Sequence, residues 1–420
     1  MKIITERASL NRLIKQIEPF VHRKGDAEVG SLEYVLFEID NDKTLVCTAQ
    51  SEDRSVQIVT DADEITVEGE GKVLIPIHAL KTALGAITND DDQEVTIETR
   101  GKKRVGILAD GASVEIGIMP IYPDTILPSV AKITSNTPTI EMNVADFANL
   151  YRIGGQARRL TTDFPNLCAV HLELKDGVLT ALSTDKRTTV YTSAPARAVT
   201  GDEFAVLIQP NAVNEVLSLF EGDDTLSLSI ATKNGDGAPE RKFAHFVNGE
   251  GTIHAVTIGP SYDISGYPKV QLLGMLKGMV AGTTHQLSVN KHELLSLFKS
   301  ADKISGLNNK GKEILLKLGK SEVEVSLSGD SDNTFNDSMK VSEWTGPEGV
   351  TIEVRWDAYA TAVSSFPESK DGDINVAVIE RNGNVVAIGA YTEDSGFNPL
   401  ESAPDLPADY LCIVPVKEAV

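Results

Sequence analysis

The sequence predicts an α+β chain built from three copies of one strand-rich unit, each packing two short helices on antiparallel sheets. Three observations predict it. Leu10, Leu13, Ile14 and Ile17 sit at i, i+3, i+4 and i+7, and the spacing returns at Phe147, Leu150, Tyr151 and Gly154 and again at Leu294, Leu297, Phe298 and Ala301. Such spacing is the apolar stripe of an amphipathic helix. Each stripe follows a short alternating segment, KIIT, TIEMNV or HQLSV, which reads as a strand. A second stripe then appears in every third of the chain: Leu80, Ala83, Leu84, Ile87; Val213, Val216, Leu217, Phe220; Tyr359, Ala362, Val363, Phe366. A period of about 135–145 residues means repeated domains rather than a solenoid of short units.

The first unit spans 1–131. It opens with a strand and a helix from about Arg7 to Phe20, runs through the strands SLEYVLFEID, KTLVCTAQ, RSVQIVT and KVLIPI, and starts its second helix near Pro76, a residue tolerated where helices begin. The strands QEVTIETR, RVGILAD and SVEIGIM close it. The polar segment 128–139 carries two prolines and reads as a linker. The second unit, 138–268, repeats the order, with 233–240 (KNGDGAPE) a hairpin loop by composition. The connection 260–284 has an apolar, glycine-interrupted centre, VQLLGMLKGMV, expected to pack against its neighbours. The third unit, 284–420, ends in the strand YLCIVPV, and its segment 329–338 (GDSDNTFNDS) reads as an exposed loop.

Much chemistry is missing. Cys47, Cys168 and Cys412 lie in apolar, strand-like runs and form neither a disulfide framework nor a CxxC zinc pair. That usage, an N-terminus without an apolar leader core and the lack of an 18-residue apolar run predict a soluble cytoplasmic protein with no membrane contact. Gly306 to Glu313 nearly matches a phosphate-binding loop, but Glu313 stands where the magnesium-binding hydroxyl belongs and the segment follows a helix. The seven histidines form no HExxH, and no nucleophile elbow or dinucleotide fingerprint occurs. The expectation is a protein with no catalytic residues, metal or cofactor.

The charge is unevenly spread. The formal net charge is −22, so the whole field repels nucleic acid. The helical stretches depart from it: 7–22 and 144–160 each carry +2, 76–88 and 290–305 each +1, and 210–220 and 357–366 each −1, leaving −26 on the remainder. Arg152, Gln156 and Arg159 fall at i, i+4 and i+7, and Lys291, Lys299 and Lys303 share a second helical face.

Three strand-rich units with paired basic helices in an acidic chain resemble the bacterial replicative sliding clamp, the beta subunit of DNA polymerase III. Met1 to Val21 is similar to the opening strand and helix of that family. Leu182 to Arg187 resembles its ATDxxR segment, Gly266-Tyr267-Pro268 its Phe-Pro motif, and Ile413 to Val416 its terminal strand. The resemblance implies three clamp domains forming half of a ring. Two copies would close head to tail, with Ile116 and Ile118 on one side of the joint and Ile304 near the other. It implies a processivity factor that encircles double-stranded DNA. Arg152, Arg158 and Arg159 would face the duplex, with Lys15, Lys299 and the loop residues Arg23 and Lys24. It further implies a pocket between domains two and three, made by Leu167, Thr184, Arg187, Thr188, Pro268, Val414 and Pro415. Short peptides of the polymerase, the clamp loader and repair proteins would dock there. The chain departs from the family in a middle motif one residue short, in Thr188 replacing a leucine, and in the extension VKEAV. The alternative is a repeat-built interaction scaffold that does not encircle DNA.

Overall fold

The structure is a computed structural model, which describes the chain apart from residues 22–32, 41, 52–53, 61–63, 120–132, 159–163, 221–223, 234–240, 259–263, 308–312, 328–333, 365–371, 383, 392–409, 416 and 419–420. The first repeat runs β1 (Lys2–Glu6), α1 (Arg7–Ile17), β2 (Tyr34–Ile39), β3 (Leu45–Gln50), β4 (Arg54–Val59), β5 (Ile65–Glu68) and β6 (Gly71–Pro76). It continues with α2 (Ile77–Ile87), β7 (Glu94–Arg100), β8 (Arg104–Ala109) and β9 (Ala112–Gly117). The second repeat follows with β10 (Thr139–Asn143), α3 (Val144–Gly154), β11 (Val170–Lys175), β12 (Val178–Thr184), β13 (Thr189–Pro195), β14 (Ala198–Thr200) and β15 (Phe204–Ile208). Its remainder is α4 (Pro210–Leu217), β16 (Thr225–Lys233), β17 (Arg241–Asn248) and β18 (Ile253–Ile258). An additional helix, α5 (Lys269–Val280), precedes the third repeat. That repeat holds β19 (Thr283–Asn290), α6 (Lys291–Leu307), β20 (Glu313–Leu318), β21 (Glu322–Leu327), β22 (Asn336–Trp344), β23 (Val350–Arg355), α7 (Trp356–Ser364), β24 (Asp373–Arg381), β25 (Asn384–Tyr391), β26 (Tyr410–Pro415) and β27 (Lys417–Glu418).

The helical stripes are buried as their spacing requires. Leu10, Leu13, Ile14 and Ile17 are at most 4% exposed, and Phe147, Leu150 and Tyr151 at most 2%. Tyr151 spends its hydroxyl on the carbonyl of Ile208, 3.0 Å away, because a buried phenol needs a partner. Some expectations are corrected. β22 takes in Asn336 to Ser338, since pairing with β21 satisfies their backbone whatever their loop-like composition. Cys168 lies in a one-turn 3-10 helix, Pro165–Cys168, started by its proline, and not in a strand. Near the phosphate-loop resemblance, α6 runs to Leu307 and β20 begins at Glu313, so a helix leads into a strand, the reverse of that motif.

The strands form three sheets of order β5-β1-β7-β8-β9, β14-β10-β16-β17-β18-β4-β3-β2-β6, and β15-β11-β12-β13-β26-β25-β24-β19-β22-β21-β20-β23-β27. The contacts divide the chain into two compact units. Unit one is Met1–Ala145, Arg197–Asp202 and Asn211–Ser261; unit two is Asp146–Ala196, Glu203–Pro210 and Tyr262–Val420. The division passes through the second repeat.

Each unit contains one junction between repeats, and both obey one register. In unit one β18 pairs with β4, placing Ala255 opposite Val56. In unit two β26 pairs with β13, placing Cys412 opposite Val190. Ala255 and Cys412 hold the same place in their repeats. Each is reached from the strand residue seven before the first residue of the helix's apolar stripe, through Ile140, Leu228 and Phe246 or through Leu287, Val376 and Ala390. The same path in the first repeat, through Ile3, Ile97 and Ile107, ends at Val114. Val56 and Val190 are equivalent in the same way, on ladders that start at Ile75 and Val35 or at Ile208 and Val170, and the matching ladder Val354, Ile314 and Leu327, whose N–H donates to the Phe335 carbonyl at 3.2 Å, carries the equivalence to Phe335.

Candidate functional site

In unit two, β26 lies between β13 and β25, so the C-terminal strand stitches second-repeat strands to third-repeat strands. The backbones of Val414 and Pro415 pair there with Ile388 and Ala387. Beside this seam lies an apolar cluster of Leu167, Ala169, Leu182, Leu207, Tyr267, Leu276, Val280, Ile379 and Ala387, with Leu272, Leu273 and Met279 against it. Tyr267 is the hub. Its hydroxyl donates to the Leu182 carbonyl at 3.0 Å, its ring stacks on His171 at 5.1 Å, and burial pushes its phenol well above the ordinary range. Lys269 starts α5 by pairing with Glu173.

The turn joining β12 to β13 is held by its own side chains. The Asp185 carboxylate accepts from the backbone N–H groups of Arg187 (2.8 Å) and Thr188 (2.6 Å), and the Thr184 hydroxyl donates to the Thr188 carbonyl (2.8 Å). Lys186 takes the left-handed conformation, φ +75°, and its ammonium stands 3.3 Å over the ring centroid of Phe164, a cation–π contact. Arg187 is exposed, Thr184 and Thr188 are buried, and Pro268 is half-buried. Among the described residues the Thr188 hydroxyl has no hydrogen-bond partner, a burial that costs about 1–3 kcal/mol. The structure thus gathers Leu167, Thr184, Arg187, Thr188, Pro268 and the backbones of Val414 and Pro415 into one unit. Sequence reading named Tyr267 only within a motif, and missed α5 as a helix and Phe164. The signal for α5 was present: Leu272, Leu276, Met279 and Val280 follow helical, not strand, spacing.

The cations on the helices divide by availability. Lys15 on α1, Arg152 on α3 and Lys299 and Lys303 on α6 are exposed. Lys15 lies in an open depression with Asn11, Arg12, Gln16, Asp91 and Ser218. Arg7 and Arg12 are engaged by Asp91 and Glu64. Lys291 is buried at 9%, so it does not share the exposed face expected for it; its place as the first residue of α6 fixes it against the body. Arg158 is half-buried beyond the end of α3 and donates to the Gly155 carbonyl at 3.0 Å, closing the helix terminus rather than continuing its face. Arg23, Lys24 and Arg159 lie outside the described residues.

Of the strand edges left open among the described residues, two stand at the places that the internal junctions use. β9 ends the first sheet; Ile116 on it is 9% exposed, and Ile118 beyond it donates its N–H to the Lys103 carbonyl at 3.1 Å. In unit two the Asn336–Lys340 half of β22 pairs with β21 alone, the rest having turned onto β19. Ile304 is half-buried on α6. The β9 edge is stiffened by charge. Arg100 and Arg104 each donate to the Glu115 carboxylate at 2.9 Å, which holds it below the usual carboxylate range. Because the folded value is depressed, this stabilisation is complete above the ordinary glutamate value and fades as pH falls through the lowered one. A carboxyl NMR titration is expected to find Glu115 ionising below the other exposed glutamates; an ordinary midpoint would show that the grip does not persist in solution.

Among the described residues no group of acids, histidines and cysteines is arranged to hold a metal, and no helix is long and apolar enough to cross a membrane. No protein-family model and no curated protein matches the sequence. Solved structures do match. The DNA polymerase beta subunit of Streptococcus pyogenes is similar over 100% of both chains at TM-score 0.80 and 11% identity. The sliding clamp of Bacillus subtilis is similar over 100% of both at 0.79 and 13%. The Helicobacter pylori beta clamp bound to a DNA ligase peptide is similar over 99% of this chain and 100% of that one, at 0.74 and 14%. From end to end, this chain has the fold of the DNA polymerase III beta sliding clamps.

Proposed function

We propose that the chain is a DNA sliding clamp without catalytic activity, a cytoplasmic processivity factor whose three domains, 1–131, 138–268 and 284–420, form half of a homodimeric ring around duplex DNA. The observation that carries this reading is the full-length fold likeness combined with two open edges at equivalent places in the repeat. The edge left open on β9 is the one that β18 and β26 use inside the chain, and the edge left open on β22 is the counterpart of β4 and β13. Carrying the internal register outward puts Val114 of one copy opposite Phe335 of a second. Both are half-buried in the single chain, whereas Val56, Val190 and Ala255 at the internal junctions are at most 1% exposed. A second copy would complete their burial.

A closed ring need not grip DNA; it only has to fail to come off. Weak phosphate contacts from Lys15, Arg152, Lys299 and the flanking Arg158, Arg159, Arg23 and Lys24 offset the acidic field and leave the ring free to slide. The Leu167–Tyr267 cluster under the turn that carries Thr184, Arg187 and Thr188, edged by Pro268, Val414 and Pro415, supports a peptide pocket for polymerase, clamp-loader and repair partners. Residues opposite one another in antiparallel strands lie about 4.5–5.5 Å apart, inside disulfide range. A Val114→Cys, Phe335→Cys chain, mixed with plasmid and oxidised, is expected to form covalent rings that stay on circular DNA in high salt and slide off once it is linearised. Retention indifferent to linearisation would favour the non-encircling scaffold and defeat this proposal. Replacing Lys15, Arg152 and Lys299 with Glu is expected to cut retention on DNA at low salt about tenfold or more, read as the lifetime of uncrosslinked complexes.

A further inference from the structure

We propose that the Lys186–Arg187 turn and the Phe164 ring form a basic rim on the peptide pocket, and that its occupant is a partner peptide carrying carboxylates beside its apolar anchor. The inference deepens the pocket reading above and rests on it. Its first support is a reversal of charge between repeats. Val56 and Val190 are equivalent positions, and the turns before them close alike: the Ser51 N–H donates to the Arg54 carbonyl at 2.8 Å, and the Asp185 N–H to the Thr188 carbonyl at 3.2 Å. In sequence, Glu52 and Asp53 thus stand where the second repeat has Lys186 and Arg187. A turn closed by its own backbone requires neither sign, and in a chain of net charge −22 acids are the ordinary choice. Arg54, in the place of Thr188, is spent inward, on Glu215 at 2.6 Å and on the Pro19 carbonyl at 3.1 Å. Lys186 and Arg187 are both exposed.

The neighbouring acids do not cancel this charge. The Asp185 carboxylate is committed to the backbone N–H groups of Arg187 and Thr188, and Glu173 is committed to Lys269. Among the described residues Lys186 pairs with no carboxylate; its ammonium rests on the Phe164 ring. An ammonium has three donors, and a ring face occupies one side of it. The other side is left for a carboxylate, which can arrive without displacing the ring.

Exposed apolar surface gathers on the same rim. Five large hydrophobic side chains are exposed among the described residues, and three of them, Phe164 (44%), Val270 (79%) and Met275 (37%), lie on the segments that frame Leu167 and Tyr267. Phe164 stands three residues before Leu167, and Val270 three after Tyr267, in the first turn of α5. The two segments touch. A Cβ at Gly266 would lie 2.6 Å from the Asn166 Nδ2, so the missing side chain is what lets Asn166 close against the Tyr267 segment. Apolar surface rimmed by polar groups marks an interaction site. Here the polar groups are cations, which fit a peptide whose apolar residues are flanked by aspartate or glutamate, and such complementarity selects partners.

Fluorescence anisotropy of the full chain tests this with two labelled synthetic peptides that share a Leu-Phe anchor, one flanked by aspartates and the other by lysines. The Helicobacter pylori DNA ligase peptide serves as a third probe. The whole field of the chain attracts cations, so a preference for the aspartate peptide can arise only locally. Wild type is expected to bind the aspartate peptide about tenfold more tightly than the lysine peptide at low salt, with the difference shrinking as salt rises. Lys186→Glu combined with Arg187→Glu is expected to reverse the preference, and Phe164→Ala to weaken both peptides. If wild type binds the two peptides equally, or prefers the lysine peptide, the rim is wrong and the pocket stands. That comparison needs no variant, so an unfolded variant does not rescue the proposal. If none of the three probes binds, the pocket reading fails and the rim falls with it.

Discussion

Ending the chain at Asp409 is expected to remove about 5 kcal/mol or more from unit two, the larger part of an ordinary domain's stability. β26 is paired on both sides, over Thr189 to Thr192 of β13 and Ala387 to Tyr391 of β25. Each ladder hydrogen bond contributes about 0.5–1.5 kcal/mol net, and nine register positions are involved. Removing the strand also bares two edges in the middle of a sheet, with Val190, Ala387, Ile388 and Ala390 now 0% exposed. Hydrogen exchange would read the result: amides of β13 and β25 are expected to lose protection while those of β2 to β4 keep theirs. Unchanged protection in β13 would mean that β26 does not hold the seam.

Replacing Tyr267 with alanine is expected to cost about 3–5 kcal/mol, the range for truncating a large buried aromatic side chain. The ring touches His171 and the apolar cluster, and its hydroxyl is committed to the Leu182 carbonyl. Tyr267→Phe, which keeps the ring and removes only that hydrogen bond, is expected to cost about 1 kcal/mol. Denaturant midpoints separate the two. The alanine variant should also lose partner peptides that the phenylalanine variant retains. Equal losses in both variants would assign the role to the hydroxyl and not to the packed ring.

The repeats were readable because helix formation here depends on local spacing. Leu10 to Ile17 and Leu294 to Ala301 bury the face that their periodicity marks. Composition misled where pairing decided. Asn336 to Ser338 look like loop residues, yet β21 supplies their ladder. Lys291 counts as one more helix cation, yet the body covers it. Arg158 counts as one more cation in the stretch 144–160, yet α3 stops at Gly154 and the guanidinium turns back to cap it. No local signal announced that Phe164 would meet Lys186, because the two are brought together across a turn.

The sequence by itself determined that one strand-and-helix pattern is written three times, that the helices carry positive charge in a negative chain, and that no common catalytic motif is present. These properties are periodic or additive, and a period or a charge survives without knowing who neighbours whom. Only the tertiary structure decided that the terminal strand lies between β13 and β25, that both internal junctions share one register, and that β9 and β22 are left with an edge each. Strand pairing joins residues more than two hundred positions apart, and nothing in a strand's own residues specifies which distant partner will satisfy its backbone.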